Sequence, residues 1–161
     1  GERVRELLLH SGDETPISSR AEMLLYMAAR AQLVEEVIRP ALGRGETVVS
    51  DRFLTANIVY QAHAGGLSID HVRSVGDVTV DGIQPDGVVV LDMRPEEADD
   101  RLQRPLDRME DRGQQYRQKL REGFLAEAAR VPERIVVVDA AGSIDEVHRR
   151  VVAALTPMLN R

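Results

Sequence analysis

Residues 48 to 61, VVSDRFLTANIVYQ, gather the side chains best suited to hold a charged small molecule. A short apolar run, Thr47 to Ser50, ends in the charged pair Asp51 and Arg52. A helix-like segment then presents Asn57, Tyr60 and Gln61 about one turn apart. In open α/β proteins, ligands bind beyond the carboxyl ends of parallel strands. A guanidinium at such an end suits an anion, and its acidic neighbour suits a metal or the waters of one. The bland alternative for Asp51 and Arg52 is a strand-end ion pair capping the next helix. For Asn57 and Gln61, four residues apart, the bland alternative is a polar face turned to water.

Two other stretches carry chemistry. In EMLLYMAARAQ, residues 22 to 32, Tyr26 and Arg30 are four apart and share a helix face, so a ring and a forked donor project side by side. That pair can stack a base and bind its edge, or be no more than a cation–π or packing pair. The segment RLQRPLDRMEDRGQQYRQKLR, 101 to 121, sets Arg101, Arg104, Arg108 and Arg112 against Asp107, Glu110 and Asp111, with Pro105 and Gly113 as interruptions. It reads as a solvated flap, although arginines on a flap are also what phosphoryl transfer uses to neutralise developing charge.

The elements that must position these residues alternate along the chain. Ser18 or Ser19 caps a long helix running to about Leu42, with Glu22 placed for a capping box and Pro40 and the GRG at 43 to 45 closing it. Three runs rich in β-branched residues, ETVVSD, DGVVVLDM at 86 to 93 and RIVVVDAA at 134 to 141, are nearly continuous in apolar residues. Such runs predict strands of a parallel sheet buried on both faces. Helical patterns lie at 53 to 64, 68 to 79, 95 to 103, 114 to 130 and 143 to 155. The expectation is an α/β fold: a three-layer parallel sheet with flanking helices, in one domain spanning 1 to 161.

Composition narrows the function classes. With 161 residues, 43% of them hydrophobic, the chain can build one sizeable core. A net charge of −6 argues against nonspecific nucleic-acid binding. The absence of cysteine excludes disulfides and thiolate zinc sites, and His10, His63, His71 and His148 lack ligand spacing. No apolar run approaches the roughly 18 residues of a membrane span, which points to a cytoplasmic enzyme or binding domain. Lys119 is the only lysine, so nearly every cation is an arginine, the residue suited to forked contacts with phosphate.

Taken in order, LLYMAARAQ, SDRF, N-x-x-YQ, a valine-rich strand ending in LD, R-x-x-R-x-x-DRMED and a strand ending VVVDA resemble thymidylate kinase of the bacterial type. The resemblance runs from Gly1 essentially to the C-terminus. It implies a P-loop NTPase fold of the nucleoside monophosphate kinase kind, transfer of the γ-phosphoryl of ATP to dTMP, Mg2+ as cofactor and a homodimer. Residue by residue, it implies that Tyr26 stacks on thymine and that Arg30 donates to a thymine carbonyl. Arg52 would bind the monophosphate, with Asp51 near the magnesium. Asn57 falls where some members read the base, Tyr60 lines the deoxyribose, and Gln61 sits beside them. Arg101, Arg104 and Arg108 become lid arginines over the ATP phosphates, with Arg52, Arg104 and Arg108 as the catalytic set. Phe53 for a usual tyrosine, Ala56 for a common serine, and the AHAGG loop depart from the family pattern.

The family also opens with a strand and a G-x-x-x-x-G-K-[ST] loop, and that motif does not occur in these residues. Gly1 starts inside a helical pattern with no residue before it to cap the helix. The expectation from the sequence is therefore an N-terminally truncated piece, short by about two strand–helix units or on the order of 40 to 50 residues. Such a piece would keep the dTMP side and show no kinase activity by itself. The rival expectations are a kinase for a different nucleotide, and a catalytically dead nucleotide-binding or dimerisation remnant.

Overall fold

The computed structural model describes residues 4, 6–8, 17–101 and 113–159. Backbone contacts divide the chain into two compact units, Gly1–Gln84 and Pro85–Arg161.

The first unit is helical. Helix α1, Ser19–Leu33, continues through a π-helical turn, Val34–Ile38, into α2, Arg39–Gly43. This long helix occupies the range its apolar spacing predicts. Its cap is one of the two expected serines, but the expected capping box does not form. Ser18 is the N-cap, its hydroxyl accepting from the Ala21 amide at 3.3 Å, so Glu22 lies one position too far on to close a capping box. Glu22 is instead turned inward and buried.

Helix α3, Leu54–Asn57, runs directly into a second π-helical turn, Ile58–His63. Beyond that turn come Gly65, where a Cβ would come within 2.6 Å of the Tyr60 and Gln61 carbonyls, and Gly66, which has a φ of +78°. The glycines of the AHAGG departure are thus what lets the chain fold back over its own helix end. Helix α4, Ile69–Val80, follows a Ser68 cap. Met23 and Met27 of α1 pack with Leu54, Ile58 and Ala62, and with Val72 and Val80 of α4. Gly76, an apparent weak point in α4, is required by this packing, because its Cβ would stand 2.5 Å from a methyl of buried Leu54.

The second unit holds a parallel sheet of two strands, β1, Val88–Asp92, and β2, Ile135–Asp139, with Val88 opposite Ile135. Three further helices are α5, Pro95–Arg101, α6, Gln114–Arg130, and α7, Ile144–Leu159. Val88, Val90 and Ile135 pack against Phe124, Ala128 and Val131 at one face of the sheet. Leu91, which alternates to the other face, lines a shallow cavity with Ile144, Val147 and Val151 of α7. Helices therefore flank both faces. Ser143 and Glu146 form a reciprocal capping box at the start of α7, the Ser143 amide donating to Glu146 at 2.8 Å.

Three expectations are corrected. The run at 47–51 is not a strand: among the described residues no strand pairs with it, and Val49 is 90% exposed. A strand needs a ladder partner for its backbone groups, and valines alone cannot supply one. The two strands that do form are not buried on both faces throughout, since Leu91 and Val137 are exposed. Residues 114–121, expected in the flap, are the regular first turns of α6, while 102–112 lie outside the described residues.

At the carboxyl end of β1, Asp92 accepts two bonds from Arg121, at 2.7 and 2.9 Å. The guanidinium holds the Asp92 carboxyl below the usual carboxylate range, against a smaller opposing effect of burial. A depressed folded value contributes stability above the ordinary carboxylate pKa of about 4, and that stability is lost as pH falls through the folded value. Thermal melts run downward from about pH 5 should show a shallower acid limb for Asp92→Asn than for the unsubstituted protein. Identical acid limbs would refute the assignment.

Candidate active site

The site-bearing residues of the first unit come from two elements. Helix α1 supplies Glu22, Tyr26 and Arg30 at four-residue steps, one face of a helix. The segment 51 to 61 supplies Asp51, Arg52 and Phe53, then Asn57 from α3, then Tyr60 and Gln61 from the π-helical turn. π-turns recur at functional positions, where the extra residue re-aims side chains.

Arg30 is the hub. Its Nε donates to Asn57 Oδ1 at 2.9 Å, and its Nη1 donates to the Arg52 carbonyl at 3.4 Å. Its guanidinium lies over the Phe53 ring, 4.8 Å from the centroid. Burial lowers its affinity for a proton while the charge of Asp51 raises it. A guanidinium nevertheless stays charged in a protein. Asp51, expected as a possible helix cap, is exposed and acts on Arg30 electrostatically, while the N-cap of α3 is Phe53, with no side-chain cap bond.

Arg52 projects over the Tyr60 ring, 4.9 Å from its centroid. Its backbone is held as well, because the Ser50 hydroxyl donates to the Arg52 carbonyl at 2.7 Å. Each of the two cations lies against an aromatic face, and Arg30 also holds the Arg52 main chain. Such contacts hold planar, forked donors in fixed orientations. Tyr26 is half-buried on the same helix face as Arg30.

Asn57 and Gln61 do not face water. Both are buried, and Asn57 Nδ2 donates to Gln61 Oε1 at 3.4 Å. Gln61 Nε2 in turn donates to Glu22 Oε1, also at 3.4 Å. Each amide has both its ends engaged within the protein. Sequence reasoning missed Glu22 and Phe53, although the stripe Glu22, Tyr26, Arg30 already marked one helix face.

In the second unit, Arg101 donates to the carbonyls of Ala140 and Gly142 at 3.1 and 2.9 Å, fixing the loop beyond β2. Arg150 grips the same loop through the Asp139 and Ala141 carbonyls. Arg104 and Arg108 lie outside the described residues. Among the described residues no group of three or more His, Cys, Asp or Glu side chains could hold a metal ion, and no helix is long and apolar enough to cross a membrane.

A parallel sheet with helices on both faces places the second unit in the α/β class, and the family and structural matches that follow identify that class as the P-loop NTPase fold. The fold matches that of a crystal structure of thymidylate kinase from Ehrlichia chaffeensis, with a TM-score of 0.74, 24% sequence identity, and coverage of 96% of this chain and 73% of that one. The chain belongs to the thymidylate kinase family, whose family model matches residues 1–151. It is 42% identical over 160 residues to a thymidylate kinase of Caldanaerobacter subterraneus subsp. tengcongensis, covering 99% of this chain and 76% of that protein. It is 40% identical over 161 residues to one of Bifidobacterium longum subsp. infantis, covering 99% and 69%.

Proposed function

We propose that the protein phosphorylates dTMP to dTDP with ATP, a cytoplasmic step of nucleotide biosynthesis, and that its first unit is the dTMP side of the site. The observation that carries this reading is a pair of guanidiniums held in place, Arg30 by Asn57, Phe53 and the Arg52 carbonyl, and Arg52 over Tyr60. In this reading Tyr26 stacks on thymine and Arg30 donates to a thymine carbonyl with the N–H groups not engaged by Asn57 and Arg52. Arg52 grips the monophosphate. Tyr60 borders the deoxyribose while supporting Arg52, and Gln61 stands behind the base through Asn57.

The acceptor is an anionic phosphate oxygen, so no strong general base is required. It attacks the γ-phosphorus of ATP, and the bond from that phosphorus to the β,γ-bridging oxygen breaks. Catalysis is positioning and charge neutralisation. A single exposed carboxylate fits Mg2+, which keeps most of its waters and takes one or two protein carboxylates, so Asp51 would hold the ion or its waters. When bound, Mg2+ would neutralise phosphoryl charge. The lid arginines of this proposal are Arg101, Arg104 and Arg108, which would neutralise the charge of the ATP phosphates. Two copies of the chain pair along the long first helix, through exposed Leu33 and Val37.

Calorimetric titration with nucleoside monophosphates tests the reading. The expected order places dTMP first, ahead of dUMP and dCMP, with purine monophosphates weakest. Preference for a purine or for dCMP, or absence of binding by every pyrimidine monophosphate, would overturn it.

A further inference from the structure

We infer that Glu22 is a positioning residue for Arg30, acting through Gln61 and Asn57 to set the direction in which the base-facing guanidinium is held; this rests on Arg30 reading the base, as proposed above. The four side chains form one line: Arg30 Nε to Asn57 Oδ1 at 2.9 Å, Asn57 Nδ2 to Gln61 Oε1 at 3.4 Å, and Gln61 Nε2 to Glu22 Oε1 at 3.4 Å.

The two ends fix the polarity of the line. Guanidinium can only donate, and Glu22 Oε1 takes the acceptor end of the line, while each amide presents one oxygen and one NH2. Only the head-to-tail order satisfies all three contacts. Turning either amide around sets oxygen against oxygen or N–H against N–H. Glu22, Asn57 and Gln61 are 6%, 5% and 3% exposed, so water offers little substitute for a lost partner. Without the Glu22 acceptor, the Gln61 NH2 must find another partner, and its movement takes Oε1 away from Asn57. Asn57 then no longer has its amide held edge-on to Arg30. The main-chain role that sequence suggests for Glu22, closing a capping box, is excluded by the Ser18 cap.

Three measurements test the inference. Glu22→Leu should weaken dTMP binding by about tenfold, whereas Glu22→Gln, which can present an oxygen to Gln61, should stay within about threefold of the unsubstituted protein. Deoxyribose 5-phosphate, which has no base for Arg30 to read, should bind Glu22→Leu as it binds the unsubstituted protein. In the unsubstituted, ligand-free protein, side-chain NH2 resonances of Asn57 and Gln61 should exchange slowly with solvent by NMR, a readout that requires no variant to fold. Overturning results are unchanged dTMP binding in Glu22→Leu, an equal loss for both ligands, a Glu22→Gln variant as weak as Glu22→Leu, or freely exchanging Gln61 NH2 protons. Failure of the base reading itself would show separately, as absence of dTMP binding to the unsubstituted protein while the NH2 groups remain protected.

Discussion

Arg52→Ala should lower affinity for dTMP by about two orders of magnitude, close to 3 kcal/mol, while leaving the binding of thymidine within about threefold. The size follows from the type of contact. A forked, charge-assisted grip on a phosphate exceeds a neutral hydrogen bond roughly twofold, and truncation also leaves the ligand's charge uncompensated. The guanidinium is held in place before any ligand arrives, because it lies 4.9 Å from the centroid of the Tyr60 ring. Its own backbone carbonyl is fixed between the Ser50 hydroxyl and Arg30 Nη1. Arg52→Lys should recover little of the loss, since an ammonium neither spreads over the ring as a planar cation nor presents two parallel donors. Paired calorimetric titrations with dTMP and thymidine decide the matter. An equal loss for both ligands would mean that Arg52 supports the fold of the site and not its phosphate end.

Much of this architecture could be read from the chain. Helix α6 begins and ends where its pattern indicates, at Gln114 and Arg130, and the strands around Val90 and Val137 lie within the valine runs that announced them. Those signals are local: apolar spacing, β-branching, and the glycines that stop a helix. What stayed hidden depends on partners distant in sequence. ETVVSD has the composition of a strand, yet strand formation is decided by a neighbour for its backbone groups. Asn57 and Gln61 have the spacing of a solvated helix face, and only the approach of Glu22, 39 residues before Gln61, turns that face into a buried line of amides. The cation–π partner of Arg30 is Phe53, reached across the packing of two elements. Phe53 stood out in the sequence only as an exception to a family pattern. The stripe Glu22, Tyr26, Arg30 was legible throughout; what it faced was not.

The second large effect belongs to the middle of that line. Asn57→Leu, close in volume and apolar, should destabilise the protein by roughly 3 kcal/mol, because it leaves the Arg30 Nε donor and the Gln61 Oε1 acceptor desolvated without partners. Asn57→Asp should be milder, since an oxygen still faces Arg30 and a charge now lies beside it. The cost there moves down the line. Gln61 must reverse to present its NH2 to the new carboxylate, and its oxygen then meets that of Glu22. Urea unfolding of both variants measures the order, and titration of the Asn57→Asp variant with dTMP reports whether Arg30 keeps its aim. The double variant Asn57→Leu with Gln61→Leu gives the sharper test. Removing both members of a buried polar pair costs less than removing either alone would suggest, so its destabilisation should fall short of the sum of the single losses by about 1 kcal/mol or more. Strict additivity would mean that the two amides are satisfied independently, and that Arg30 is held by Asn57 with no line of side chains behind it.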